Sequence, residues 1–154
     1  MNKTMTWKVY LAGEIHTPWR EKLERAISDM GLPVVFYAPV TDHDASDACG
    51  AEILGAETNP FWHDHKGASL NAIRTRTLIT KADIVVVKFG EKYRQWNAAF
   101  EAGVASALGK PIIVVHPDEF QHALKEVDAA AHSVTNDCSR IPQILRYIIE
   151  GTLK

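Results

Sequence analysis

The sequence predicts an α/β fold, a parallel sheet with helices on both faces, and three observations carry that expectation. Short apolar runs suited to buried strands recur along the chain, Ile84-Val85-Val86-Val87 and Ile112-Ile113-Val114-Val115 being the clearest. Stretches with helical start and stop signals separate them, which is the alternation of βαβ units. Between those two runs stands Trp96-Asn97-Ala98-Ala99-Phe100-Glu101-Ala102-Gly103-Val104-Ala105. It places a carboxylate near the start of a helix that a strand has just fed, at the sheet edge where open α/β folds bind ligands.

In chain order, Lys8 to Ala12 reads as the first strand, and Pro18 to Met30 as a helix stopped by Gly31. Pro33 to Tyr37 is the second strand. Residues 39–66 are polar, contain glycine and show no clear period, so they read as a long loop; their His, Asp and aromatic content suggests a binding loop. A helix from Ala68 to Lys81 leads into the third strand, Asp83 to Phe89, where Asp83 reads as a turn or cap residue. Asn97 is a good N-cap and Gly109-Lys110-Pro111 a stop, so the next helix is read as 98–108. Glu101 then falls near the end of its first turn, where free amides and the helix dipole favour an ionised carboxylate. Pro111 to His116 is the fourth strand and Ala131 to Thr135 the fifth. A closing helix from Arg140 to Glu150 carries Ile141, Ile144, Leu145, Ile148 and Ile149 on one side.

A chain of 154 residues with 46% hydrophobic content holds one real core and is short for two ordinary domains, so residues 5–154 read as a single domain. The net charge of −2 gives no electrostatic case for a nucleic-acid polymer or a membrane surface. A small-molecule ligand is the better expectation. No apolar segment reaches the roughly 18 residues of a membrane span, and Met1 to Thr6 lacks the apolar core of a signal peptide, so a cytoplasmic location is expected. Cys49 and Cys138 lie far apart and in no CxxC spacing, which indicates neither a disulfide framework nor a zinc ribbon.

Several residues have the chemistry for a site. Gly13 ends the first strand, where it permits a sharp turn or a close backbone approach, and Glu14 follows it. Tyr10 either brings a hydroxyl to a ligand or is a core aromatic. Asp42-His43-Asp44 and His63-Asp64-His65 offer imidazoles and carboxylates, for a metal or for a polar pocket. Trp62 offers a stacking surface for a flat heterocycle. Arg74, with Asn71 nearly one turn earlier, offers a planar fork for phosphate or carboxylate.

Tyr10 to Gly13, Asp83-Ile84-Val85-Val86-Val87, and Phe100-Glu101-Ala102-Gly103-Val104-Ala105 followed by Gly109-Lys110-Pro111 together resemble the nucleoside 2-deoxyribosyltransferase-like family. The segment from Asn59-Pro60-Phe61-Trp62 through Arg74-Thr75-Arg76 to Gln95-Trp96-Asn97-Ala98-Ala99 is similar to its YtoQ branch. The resemblance covers nearly the whole chain. It implies a flavodoxin-like (Rossmann-like) five-stranded parallel sheet of order 2-1-3-4-5, and a Glu nucleophile that attacks the anomeric carbon of a nucleoside. Glu101 stands at the nucleophile's position, Tyr10 at that of the tyrosine that steadies it, and Gly13 at the loop glycine beside it. Two positions depart from the family: Thr75 replaces a catalytic Asp, and Gln95 replaces an Asp or Ser.

The resemblance implies cleavage or transfer of an N-glycosidic bond in a nucleoside, nucleotide or related ribosyl compound, by chemistry like that of a retaining glycosidase. Glu101 and Tyr10 are the expected catalytic residues. Gly13, Glu14, His43, Trp62, Asp64, Asn71, Arg74, Gln95 and Asn97 are the expected substrate-binding set, with Glu14 or the 42–65 segment offering a replacement acid. No cofactor is called for, and a homodimer or larger homo-oligomer is implied. Two alternatives stand beside this: a nucleotide-binding or signalling module without chemistry, and a metal-dependent hydrolase built on His43, His63 and His65.

Overall fold

The computed structural model describes residues 4–154; Met1, Asn2 and Lys3 of the N-terminal segment considered above lie outside the described residues. The elements are β1 (Trp7–Gly13), α1 (Trp19–Asp29), β2 (Val34–Tyr37), α2 (His43–Leu54), α3 (Pro60–Lys81) and β3 (Ile84–Lys88). There follow α4 (Trp96–Ala107), β4 (Ile112–Val115), α5 (Lys125–Ala130), β5 (Ser133–Thr135) and α6 (Ile141–Glu150). The strands make one parallel sheet of order β2-β1-β3-β4-β5, the flavodoxin-like order.

Side chains alternate across a strand, so the unbroken apolar runs supply both faces of the sheet. Val9, Leu11, Ile84, Val86, Ile113 and Val115 face Trp19, Leu23 and Ile27 of α1 and Ile141 and Leu145 of α6. Tyr10, Ala12, Val85, Val87, Ile112 and Val114 face Ile79 of α3 and Ala98, Ala102 and Ala105 of α4. The alanines keep α4 close to the sheet. Asp83, in the bend just before β3, accepts from the Lys8 amide of β1 at 2.8 Å and so ties the two strands together.

Residues 39–66 are not an irregular loop. Asp42 caps α2 by accepting from the Ala45 amide, and Asn59 caps α3 by accepting from the Phe61 amide, with Pro60 opening the helix. The helix expected from Ala68 therefore starts at Pro60, and α2 and α3 form a packed helical pair. Gly50 and Gly67 meet at their contact, where a Cβ on Gly50 would fall 2.2 Å from the Gly67 nitrogen. Helices that touch through glycine and alanine carry no broad apolar stripe, so periodicity does not reveal them. The short α5, between β4 and β5, was likewise absent from the sequence expectation.

Candidate active site

Tyr10 lies in the middle of β1, beside Tyr37 on β2 and Val85 on β3, and is fully buried. Its side chain points to the face covered by α3 and α4. There its hydroxyl donates to Glu101 Oε1 at 3.3 Å, and Thr75 of α3 lies near the phenol. Burial, then the Glu101 charge, push the Tyr10 pKa above its ordinary value, so the hydroxyl keeps its proton for Glu101.

The setting of Glu101 differs from the expectation. Its helix starts at Trp96, with Gln95 rather than Asn97 in the cap position, so Glu101 falls in the second turn, away from the free amides. Burial is the largest influence and raises its pKa to about 7; the Tyr10 hydrogen bond and the Arg20 charge oppose that rise. The carboxylate is therefore not held ionised by the helix start. Near neutrality it populates both protonation states.

Arg20, at the start of α1, went unnoticed in the sequence because nothing there marks it as buried. Its guanidinium donates to the carbonyls of Leu11, Gly13 and Glu14 at 2.8 to 3.3 Å and stacks over the Trp19 ring. It thus ties the end of β1 to α1 and leaves positive charge near Glu101.

Gly13 has φ +126°, and a Cβ there would fall 2.0 Å from the Lys88 carbonyl oxygen. The close approach it permits is to β3. Glu14 is only 2% exposed and is fully engaged: it accepts from the His16 amide at 2.6 Å, the Thr17 amide at 2.9 Å and the Thr17 hydroxyl, and pairs with Lys88 Nζ at 2.9 Å. Burial would raise its pKa, but the hydrogen bonds from Thr17, Lys88 and His16 outweigh it and hold the value at about 2. Glu14 is thus an ionised structural tie and not the replacement acid that its place in the chain suggested.

Gln95 organises the turn between β3 and α4. Its Oε1 accepts from the Gly90 amide at 3.0 Å, and its Nε2 donates to the Lys92 and Tyr93 carbonyls at 2.8 and 2.9 Å. Tyr93, with φ +62°, lies 5.0 Å from the His16 ring, which joins this turn to the one after β1. Asn97 is exposed within the first turn of α4.

The remaining expected residues make contacts of other kinds. Asn71 donates to the Ser46 carbonyl at 3.0 Å and fastens α3 to α2, while Arg74 donates to the Ala38 carbonyl at 3.3 Å. His43 pairs with Asp47 and Asp64 with His63, all on the helical pair. Trp62 makes edge contacts with Phe61 and His65 at the start of α3. None of these side chains hydrogen-bonds to Tyr10 or Glu101 among the described residues, and no group of three His, Cys, Asp or Glu there is placed to hold a metal ion. A cleft of about 540 Å³ lies elsewhere, between β4, α5 and β5, and its lining includes neither Tyr10 nor Glu101.

Comparison with known proteins bears on this arrangement. The family model described as "Nucleoside 2-deoxyribosyltransferase YtoQ" matches residues 10–149. The uncharacterized protein YtoQ of Bacillus subtilis (strain 168) is 41% identical over 146 residues, which cover 95% of this chain and 99% of that one. Among solved structures, the 2-deoxyribosyltransferase of Bacillus psychrosaccharolyticus superposes with a TM-score of 0.54 at 18% identity, covering 88% of this chain and 90% of that one. A conserved protein of Enterococcus faecalis V583 superposes with a TM-score of 0.53 at 17% identity, covering 91% and 88%. At those identities the two structures bear on the fold alone. No described helix is long and apolar enough to cross a membrane.

Proposed function

Since the chain belongs to the nucleoside 2-deoxyribosyltransferase YtoQ family, we propose that it cleaves or transfers the N-glycosidic bond of a nucleoside- or nucleotide-type substrate, with Glu101 as nucleophile and Tyr10 as its positioning partner. The observation that carries this is the contact between the Tyr10 hydroxyl and Glu101 Oε1. A carboxylate that must attack an oxocarbenium-like centre needs one oxygen held and one free, and a tyrosine that keeps its proton does the holding. In the first step a Glu101 oxygen bonds to the anomeric carbon while the C–N bond breaks, and the departing base carries off the bonding pair and takes up a proton. Water or a second base then attacks the same carbon, gives up a proton and frees the carboxylate.

A pKa of about 7 suits this role, because the ionised form is populated at neutral pH and is poorly solvated, hence reactive. Phe100 and Trp96 on α4 are 74% and 73% exposed, an apolar surface next to Glu101 that supports a homo-oligomer with the site near its interface. We also place the protein in the cytoplasm and read its residues 5–154 as one domain. The test is release of free base from a panel of ribo- and deoxyribonucleosides and their monophosphates. Turnover that is lost in Glu101→Gln while ligand affinity is kept supports the reading. A parent protein inactive across the panel assigns it instead to a binding module.

A further inference from the structure

A concavity lies at the C-terminal edge of the sheet. The 540 Å³ cleft at the ends of β4 and β5 falls within the usual size of small-molecule sites. Its floor is His116, which is only 3% exposed. The ring Nδ1 donates to the Pro117 carbonyl at 2.7 Å and Nε2 donates to Asp128 Oδ2 at 2.8 Å. Both ring nitrogens are donors only in the imidazolium, so His116 is charged and neutralises Asp128.

The other acid in the lining, Asp118, accepts from Asn136 Nδ2 at 3.0 Å. Two further cations line the cleft. Lys125 of α5 is exposed and forms no ion pair among the described residues. Arg140 makes one long contact, 3.8 Å to Asp137, between mostly exposed side chains. Such a pair contributes little and is readily exchanged for a better partner. The His116–Asp128 pair is neutral overall and Asp118 keeps its charge, so Lys125 and Arg140 leave the lining one positive charge in excess, and Arg140 suits phosphate geometry. The volume exceeds that of bare phosphate, and the Gln121 amide and the Asn136 side-chain carbonyl in the lining are groups for hydroxyls.

We propose that this cleft binds the phosphate monoester of a polyhydroxy compound, of the class of a pentose phosphate, held by Lys125 and Arg140 over the His116–Asp128 pair. The site is separate from Tyr10 and Glu101 and stands whether or not Glu101 is a nucleophile.

The test is isothermal titration calorimetry of the full chain at low salt with ribose 5-phosphate, ribose and inorganic phosphate. Ribose 5-phosphate should bind, and ribose and inorganic phosphate should each bind at least tenfold more weakly. Lys125→Ala combined with Arg140→Ala should weaken ribose 5-phosphate binding at least tenfold, while Glu101→Gln leaves it unchanged. Both replaced side chains are on the surface, and circular dichroism checks that the variant is folded. Binding that is absent in the parent, that survives in the folded double variant, or that disappears in Glu101→Gln overturns the assignment. Inorganic phosphate binding as tightly as ribose 5-phosphate overturns the monoester class.

Discussion

The Tyr10 hydroxyl meets Glu101 Oε1 at 3.3 Å, joining the middle of the interior strand β1 to the second turn of α4 across 91 positions of sequence. Tyr10 sits between β2 and β3, and its buried ring packs on the one sheet face that α3 and α4 cover. Its one polar atom is aimed at one carboxylate oxygen, which leaves the other oxygen for chemistry.

Replacing Tyr10 by Phe keeps the buried ring and removes the proton that favours ionised Glu101. The Glu101 pKa should rise from about 7 by roughly one unit, the equivalent of one hydrogen bond. The acid limb of the pH profile for kcat/KM should move up by the same amount. A limb unmoved in Tyr10→Phe removes Tyr10 from the control of Glu101.

Glu101 costs the fold stability at high pH. Its folded pKa, about 7, lies above the model-peptide value of 4.5, so its protonated form suits the folded state and stability is lost as pH rises between those values. Glu101→Gln should therefore raise stability at pH 8 by up to about 3 kcal/mol and change it little at pH 4. Urea denaturation at the two pH values measures this. An equal effect at both would show that the carboxyl is not desolvated.

Glu14 has the opposite sign. Its folded pKa of about 2 lies below the ordinary value of 4.5, so its contribution is complete above pH 4.5 and is lost as pH falls toward 2. Glu14→Gln should cost about 3 kcal/mol at neutral pH, and the difference from the parent should shrink toward pH 2. The substitution also leaves Lys88, whose side chain is largely buried, without its partner. A variant as stable as the parent at pH 7 would show that the tie is not structural.

Much of the fold was legible in the sequence, for reasons visible in particular residues. Strands such as Ile84 to Val87 are buried on both faces, so their apolar character is unbroken, and Gly31, Gly109 and Asp83 mark ends of elements. The helical pair α2 and α3 was hidden because Gly50 and Gly67 make its contact, although Asp42 and the Asn59-Pro60 pair are ordinary helix starts. At the site, the resemblance pointed to Tyr10 and Glu101, and the structure puts them in contact. The ties made by Glu14, Asn71, Arg74 and Gln95 were not legible, because a polar side chain reads alike whether it meets a ligand or a carbonyl of its own chain. The partners lie far off in sequence, as Lys88 does from Glu14.

Phe100 and Trp96 present an apolar surface on α4, with exposed Ile73 on α3, the helix packed against it. If a second copy covers them, Phe100→Glu combined with Trp96→Glu should turn the assembly into monomers through desolvated charge. Light scattering coupled to size-exclusion chromatography reads the mass. A parent that is already monomeric at micromolar concentration contradicts the homo-oligomer.

The most direct test of Glu101 as nucleophile is peptide mapping by mass spectrometry after acid quenching of turnover, using the nucleoside cleaved fastest in the base-release assay. The expected result is a glycosyl adduct on Glu101, formed with release of the base and absent from Glu101→Gln, which no longer turns over. Turnover in Glu101→Gln at the parent rate, with no adduct at position 101 in the parent, would contradict the account.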